Sequence, residues 1–404
     1  METQRHPGSP AAGPVAVAPP DVVTEPAPVD VAVTQPAAVD VMVTQPAAVD
    51  VVVIGAGQAG LAAAATLRRR GLTAADELVV LDADNGPGGA WQHRWPSLRL
   101  GTAHRIFPLP GRPLPVADPE LPAAEVVAAY FGDYERELGL PVLRPVRVDA
   151  VARGEDDRLV VRAGGRAWAA RAVVSATGTW RSPFVPHVPG IETFAGRQMH
   201  TVDYRSADEL AGLRVLVVGG GASAVQLLAE VAPVATTTWV TRRPPVWLPE
   251  GTLGEDAGRA AVAGVERRVR EGLPPQSVVS TTGLVMTPAV RAARDAGQLQ
   301  RLPMPARFTP DGVTWADGSH AAVDVVLWCT GFRPSVQHLA PLGLRTRAGG
   351  IRLDGTRAVD EPRLHLVGYG PSASTIGANR AGQAAAREVL RDLARTPVPA
   401  ARPA

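Results

Sequence analysis

The run DVVVIGAGQAG over residues 50–60 sets Gly55, Gly57 and Gly60 at GxGxxG spacing, directly before the helix formers LAAAATLRRRG (61–71). The spacing alone is a weak signal; a buried-type strand before it and a helix after it make it informative. Gly55 permits a tight turn, Gly57 lets the backbone approach a diphosphate, and Gly60 lets helix and strand pack closely. Gln58 and Ala59 open the helix, where free N–H groups and the positive end of the dipole meet an anion. Asp82 closes the next apolar run, 22 residues after Gly60, where a carboxylate accepts the hydroxyls of a ribose. This pattern predicts an adenine dinucleotide site.

A second turn, LRVLVVGGGASA over 213–224, repeats the logic. Gly219 and Gly221 take the first two roles, Ser223 opens the helix, and Ala224 stands in the third position. The following strand runs into Arg242 and Arg243, with no acid there. Guanidinium groups pair bidentately with phosphate, so this end favours NADPH over NADH. The alternative is a solvated arginine pair in a chain whose basic residues, apart from histidine, are all arginine. Two fingerprints in one chain imply electron transfer between two dinucleotides, one a nicotinamide and the other, by inference, a flavin.

Alternating strands and helices must position these turns, which predicts an α/β fold with parallel sheets. Strand candidates are 51–54, 78–81, 159–162, 172–176, 215–218, 237–240, 325–329 and 364–368. Their near-continuous Val/Ile/Leu character predicts helices over both sheet faces. Residues 1–47 hold a decapeptide repeat: PAAVDVMVTQ (36–45) is followed by PAAVDVVVIG (46–55), with a degenerate copy from Pro26. The last copy enters the first strand, so we expect a disordered tail that duplicates a strand entry; a docking arm is the alternative.

The chain has 404 residues, 46% hydrophobic and 20% charged, with net charge +2. That is material for roughly two to three domains and predicts no nucleic-acid partner. The single cysteine, Cys329, excludes an internal dithiol relay and a cysteine metal site, and the histidines show no metal spacing, so no metal is expected. Cys329 reads as a buried strand-end residue. No membrane insertion or signal peptide is expected, and a cytoplasmic location fits.

Between the turns, Phe194, Gly196, His200 and Tyr204 fit FxGxxxHxxx[Y/F/W]. The pattern resembles the signature of class B flavin-dependent monooxygenases. Gly88-Gly89-Ala90-Trp91 is similar to that family's GGxW flavin motif. Ala176-Thr177-Gly178 and Cys329-Thr330-Gly331-Phe332 resemble its two domain-linking ATG motifs. The resemblance covers roughly residues 48 to 395. It implies two Rossmann-like domains, with an NADPH domain (186–334) inserted into an FAD domain (48–185 and 335–395) ahead of a flexible end (396–404). It also implies FAD contacts from Gly89, Trp91, Val148, Thr177, Gly178, Gly368 and Tyr369, the last two through backbone. NADPH would reduce FAD, and oxygen held as a flavin peroxide would oxygenate a small organic substrate.

The signature residues read better as domain-coupling groups than as direct catalysts. Gly196 relieves a steric constraint, Phe194 and Tyr204 pack a hinge, and His200 hydrogen-bonds at the interface. Two departures bear on the chemistry. Gly101 stands where an asparagine often lies beside the flavin, leaving Thr102 or His104 as substitutes, although His104 also reads as a plain loop histidine. Tyr204 replaces the tryptophan of Baeyer–Villiger enzymes. Residues 250–305 carry extra helical material that would shape substrate access. The alternatives are an NADPH-dependent flavoprotein reductase or oxidase without oxygen transfer, and a flavin-binding regulatory protein. Oligomeric state stays open.

Overall fold

The computed structural model describes residues 45–103, 106–248, 255–276 and 283–395. Most of the expected tail, the 396–404 end and His104 lie outside the described residues.

Strands β1 (Ala47–Ile54), β2 (Leu78–Leu81), β3 (Val142–Leu143), β4 (Ala150–Arg153), β5 (Leu159–Ala163) and β6 (Arg166–Ser175) belong to a first sheet. A second sheet holds β7 (Arg197–His200), β8 (Arg214–Val218), β9 (Thr236–Thr241) and β10 (Arg301–Pro303). A small antiparallel sheet of β11 (Arg307–Thr309), β12 (Gly312–Thr314) and β13 (His320–Ala322) follows. The chain then adds β14 (Val325–Trp328) to the second sheet and returns to the first with β15 (Leu353–Asp354), β16 (Arg357–Ala358) and β17 (Glu361–Leu366). The helices are α1 (Gln58–Arg69), α2 (Ala123–Glu137), α3 (Ala222–Val231), α4 (Glu255–Arg270), α5 (Pro288–Asp295) and α6 (Thr375–Arg395). No helix among the described residues is long and apolar enough to cross a membrane.

The first sheet has the order β15-β16-β17-β6-β1-β2-β3, and its strands β17, β6, β1, β2 and the edge strand β3 are parallel. The second runs β10-β9-β8-β14-β7, all parallel. β1 begins at Ala47, which pairs with Trp168, so the last copy of the repeat is itself the strand entry.

The expectation of helices on both sheet faces needs correction. Val51 and Val53 pack under α1, α2 and α6, whereas Val52 and Ile54 face the β4–β5 ribbon and the 336–344 segment. The second sheet likewise has α3 and α5 on one face and the small antiparallel sheet, through Phe308 and Val313, on the other. A strand run that is apolar at every position reports burial on both faces and does not report what buries it. Each such side chain is worth roughly 1.5–3 kcal/mol of burial.

Small residues bring the elements close to the first turn. A Cβ on Gly60 would lie 1.8 Å from the Gly55 carbonyl oxygen, and one on Gly382 of α6 2.3 Å from the Ala59 oxygen. The alanine face of α1 is therefore buried between sheet and α6.

Candidate functional site

A cavity of about 730 Å³ opens at the C-terminal ends of β1 and β6, within the ~300–1,000 Å³ range of small-molecule and cofactor clefts. Gly55, Gly57, Gln58, Ala59, Asp82, Gly89, Trp91, Val148, Ala176, Thr177, Gly178 and Gly368 line it. α1 points its N-terminus at this space, and its N-cap, Gly57, supplies no capping side chain. Its first N–H groups are thus available to a diphosphate. A Cβ on Gly57 would meet only the Gly89 Cα, at 3.8 Å, and one on Gly89 would press to 2.7 Å from the Gly57 Cα. The two glycine segments together form a backbone cradle that fits an extended dinucleotide. Asp82 sits on the wall with Oδ2 3.1 Å from Arg144, whose other nitrogens grip Glu135 at 2.6 and 2.7 Å. Its second oxygen accepts from the Asp84 N–H at 3.3 Å.

Gly60, Tyr369 and Thr102 are among the sequence candidates that lie away from the cavity lining. Gly60 serves the helix–strand contact. Tyr369 is buried, and its hydroxyl accepts from the Ile351 N–H at 3.0 Å. Thr102 is exposed and donates to the Arg99 carbonyl at 3.2 Å.

The second turn is built similarly. Gly219 has φ +141°, and a Cβ there would fall 2.2 Å from the Cys329 carbonyl oxygen. The N-cap of α3, Gly221, offers no side-chain cap; Ser223 lies in the first turn and Ala224 is buried against the sheet. Beyond β9, Arg242 and Arg243 are exposed. Arg301 of β10 joins them from the neighbouring strand, donating to Thr241 Oγ1 at 2.8 Å and to the Thr241 carbonyl at 3.2 Å.

Two connecting segments between the sheets pair with each other. The Phe184 N–H donates to the Gly331 carbonyl at 2.9 Å, and the Arg333 N–H to the Ser182 carbonyl at 2.8 Å. Thr330 donates to the Phe184 carbonyl. His200 ends edge strand β7 and docks here. Its Nδ1 accepts from the Val202 N–H at 3.4 Å, which leaves the proton on Nε2 to donate to the Gly331 carbonyl at 3.1 Å. Burial lowers its pKa, so the ring is neutral. The His200 ring meets Phe332 edge-on at 5.0 Å, Phe332 stacks on Trp180 at 5.0 Å, and Trp180 lines the cavity. An aromatic path thus joins the second sheet to the wall of the first site.

Tyr204 is fully buried and donates to Glu230 of α3 at 2.7 Å; Ser97, beyond the Gly89–Trp91 turn, donates to the same oxygen at 2.6 Å. Burial, then Glu230, raises the Tyr204 pKa. A Cβ on Gly196 would lie 2.4 Å from the Phe194 ring and 2.6 Å from the Asp324 carbonyl oxygen. Cys329 is buried, which pushes its thiol up to about 12.

Sequence reasoning missed Asp84, His93, Arg94, Trp180 and Arg181 on the cavity wall, and Arg301 beside the second turn. The first five lie two or three residues after Asp82, Trp91 or Gly178, so proximity in sequence was the available signal. Arg301 is 59 residues beyond Arg242 and reaches it only through the β9–β10 pairing.

Residues 49–369 match the family model described as pyridine nucleotide-disulphide oxidoreductase. Indole-3-pyruvate monooxygenase YUCCA4 of Oryza sativa subsp. japonica is 29% identical over 366 residues, 78% of this chain and 82% of that protein. A flavin-containing monooxygenase from Stenotrophomonas maltophilia superposes with TM-score 0.72 at 42% identity, covering 85% of this chain and 99% of that one. A doubly substituted variant of the flavin monooxygenase from that organism gives 0.73 at 44%, with the same coverage. The family's disulphide chemistry needs a cysteine pair, and this chain has one buried cysteine. The flavin branch is what its residues and relatives share: the chain belongs to the pyridine nucleotide-disulphide oxidoreductase family as a class B flavin monooxygenase, an oxidoreductase whose cofactors are FAD and NADPH.

Proposed function

We propose that this chain transfers hydride from NADPH to FAD and then one oxygen atom of dioxygen to a small organic substrate. FAD takes the first turn and its cavity, and NADPH the second turn; the corresponding domains are 48–185 with 335–395, and 186–334. The observation that carries this reading is the pair of glycine turns, each opening a helix with no capping side chain at the end of a parallel sheet. Bound flavin supplies the redox and oxygen chemistry. The residues supply placement: α1 and the Gly89 segment hold the diphosphate, Asp82 the ribose, and Arg242, Arg243 and Arg301 the 2′-phosphate. His200 ties the nicotinamide sheet to the hinge at Gly331, where a neutral donor keeps the two connections in register while the sheets adjust.

A reductase or oxidase without oxygen transfer is the second reading. It draws on Gly101 and Thr102, which are exposed and bring no side chain to the cavity.

Stopped-flow absorbance separates the two. The holoenzyme is reduced anaerobically with NADPH and mixed with oxygenated buffer. A near-ultraviolet transient before the oxidised spectrum returns is the expected result. Direct return with stoichiometric hydrogen peroxide, in the presence and absence of substrate candidates, selects the second reading. If NADPH leaves the flavin oxidised, both enzyme readings fall and a regulatory flavin-binding role remains.

A further inference from the structure

Arg94 lines the cavity wall three residues after Trp91. Its Nε is buried without a hydrogen-bond partner, and no carboxylate among the described residues pairs with the guanidinium. The group is held by ring faces: its central carbon lies 4.7 Å from the Trp180 centroid and 5.8 Å from that of Trp91. Such faces orient a cation and stabilise it modestly without neutralising it. Burial lowers its pKa to about 10, which leaves it charged at neutral pH. Arg94 is half-buried, with its Nε enclosed; a partly desolvated charge with no counter-ion is costly, and a ligand that supplies the partner offsets that cost.

The other cations on the wall differ. Arg181 pairs with Asp84, and Arg147 is exposed. The diphosphate already has the α1 N-terminus, and the ribose has Asp82. Arg94 also stands where the cavity meets the second sheet. Trp180 leads through Phe332 to His200, and the next residue, Trp95, packs edge-on to Tyr204 at 6.4 Å. This junction lies on the wall of the first cavity and is linked by ring contacts to the residues that end the second sheet's edge strand. One guanidinium with a single positive charge matches a monoanion, and its fork matches the two oxygens of a carboxylate.

We infer that Arg94 is the carboxylate-binding subsite of this monooxygenase and that its substrate is an organic acid. The inference rests on the proposed function, but its test does not use turnover. Oxidised holoenzyme is titrated with phenylacetate and with its neutral counterpart phenylacetamide, and binding is read from the flavin absorbance. Phenylacetate is expected to bind about tenfold or more tightly than the amide. Arg94→Met removes that preference while FAD content and amide binding stay as in the parent, and Arg94→Lys restores part of it. Equal binding of acid and amide, or no binding of the acid, overturns the inference. So does an Arg94→Met enzyme that loses FAD, or shifts its flavin potential, with acid preference intact; that outcome assigns the charge to the flavin. Acid preference that persists without any oxygen-dependent transient would leave this subsite standing and remove only the monooxygenase reading.

Discussion

Single residues at the two turns act through what they lack. Gly219 combines a positive φ with a carbonyl 2.2 Å from where a Cβ would sit. Gly219→Ala is expected to cost about 2–3 kcal/mol, read as a lower midpoint in urea, because both strain and a clash oppose it. Arg242, Arg243 and Arg301 act through what they add. Replacing Arg242 and Arg243 by glutamine should raise the KM for NADPH about tenfold or more and leave that for NADH within about twofold. Steady-state reduction of an artificial acceptor with each nucleotide measures this. An equal loss for both nucleotides would place the 2′-phosphate elsewhere.

At the scale of elements, one carboxylate joins three segments. Glu230 on α3 accepts from Tyr204, which follows β7, and from Ser97, which follows the Gly89–Trp91 turn. The Gln226 side chain of α3 adds a 3.2 Å bond to the Thr102 carbonyl. The loop after Trp91 is therefore anchored to α3 as well as to the segment after β2, where Gln92 and His93 bond Asp84. Tyr204→Phe leaves the packing and removes one bond to a charged acceptor, for a loss of about 2 kcal/mol. It should also slow flavin reduction by NADPH several-fold with FAD content unchanged, since the anchor sets how the two sheets meet. Anaerobic rapid mixing gives the rate; an unchanged rate would make the network purely structural. The helix α4 makes a similar bridge, with Val269 in the same cluster as Tyr369, which follows β17, and a Cβ on Gly370 only 2.6 Å from it.

For the whole molecule, buried neutral histidines link stability to pH. Burial lowers His338 and His365 to about 4, and lowers His200 as well. His338 bonds Ser175 Oγ at 3.1 Å and His365 bonds Thr356 Oγ1 at 2.9 Å. The unfolded chain binds protons at these rings near pH 6.5 and the folded chain does not. Stability is therefore full above that value and falls as pH drops toward 4. Between pH 6.5 and 5 the loss should be about 1.5 kcal/mol for each of His338 and His365. Denaturant unfolding at several pH values should show a shallower slope for His338→Gln; an identical slope would remove that histidine from the account.

The two glycine turns that open α1 and α3, the placement of Asp82 after β2 and most inner strands were legible in the sequence because each depends on a few consecutive residues. β2 was expected at 78–81 and is found there, and β8 differs from its expected 215–218 by one residue. The edge strand β7 was not legible: RQMH has one apolar residue in four and becomes a strand only by pairing with β14. Of the ribbon, β5 was expected at 159–162 and spans Leu159–Ala163, whereas its partner β4 and the small sheet were missed, since those strands are short and stabilised by packing rather than by pattern. Arg301 beside Arg242, Trp180 beside Arg94 and Ser97 beside Tyr204 were decided by tertiary structure alone. Local backbone preference and apolar periodicity act within a few residues, whereas a shared wall or a shared hydrogen-bond acceptor exists only after distant segments have packed.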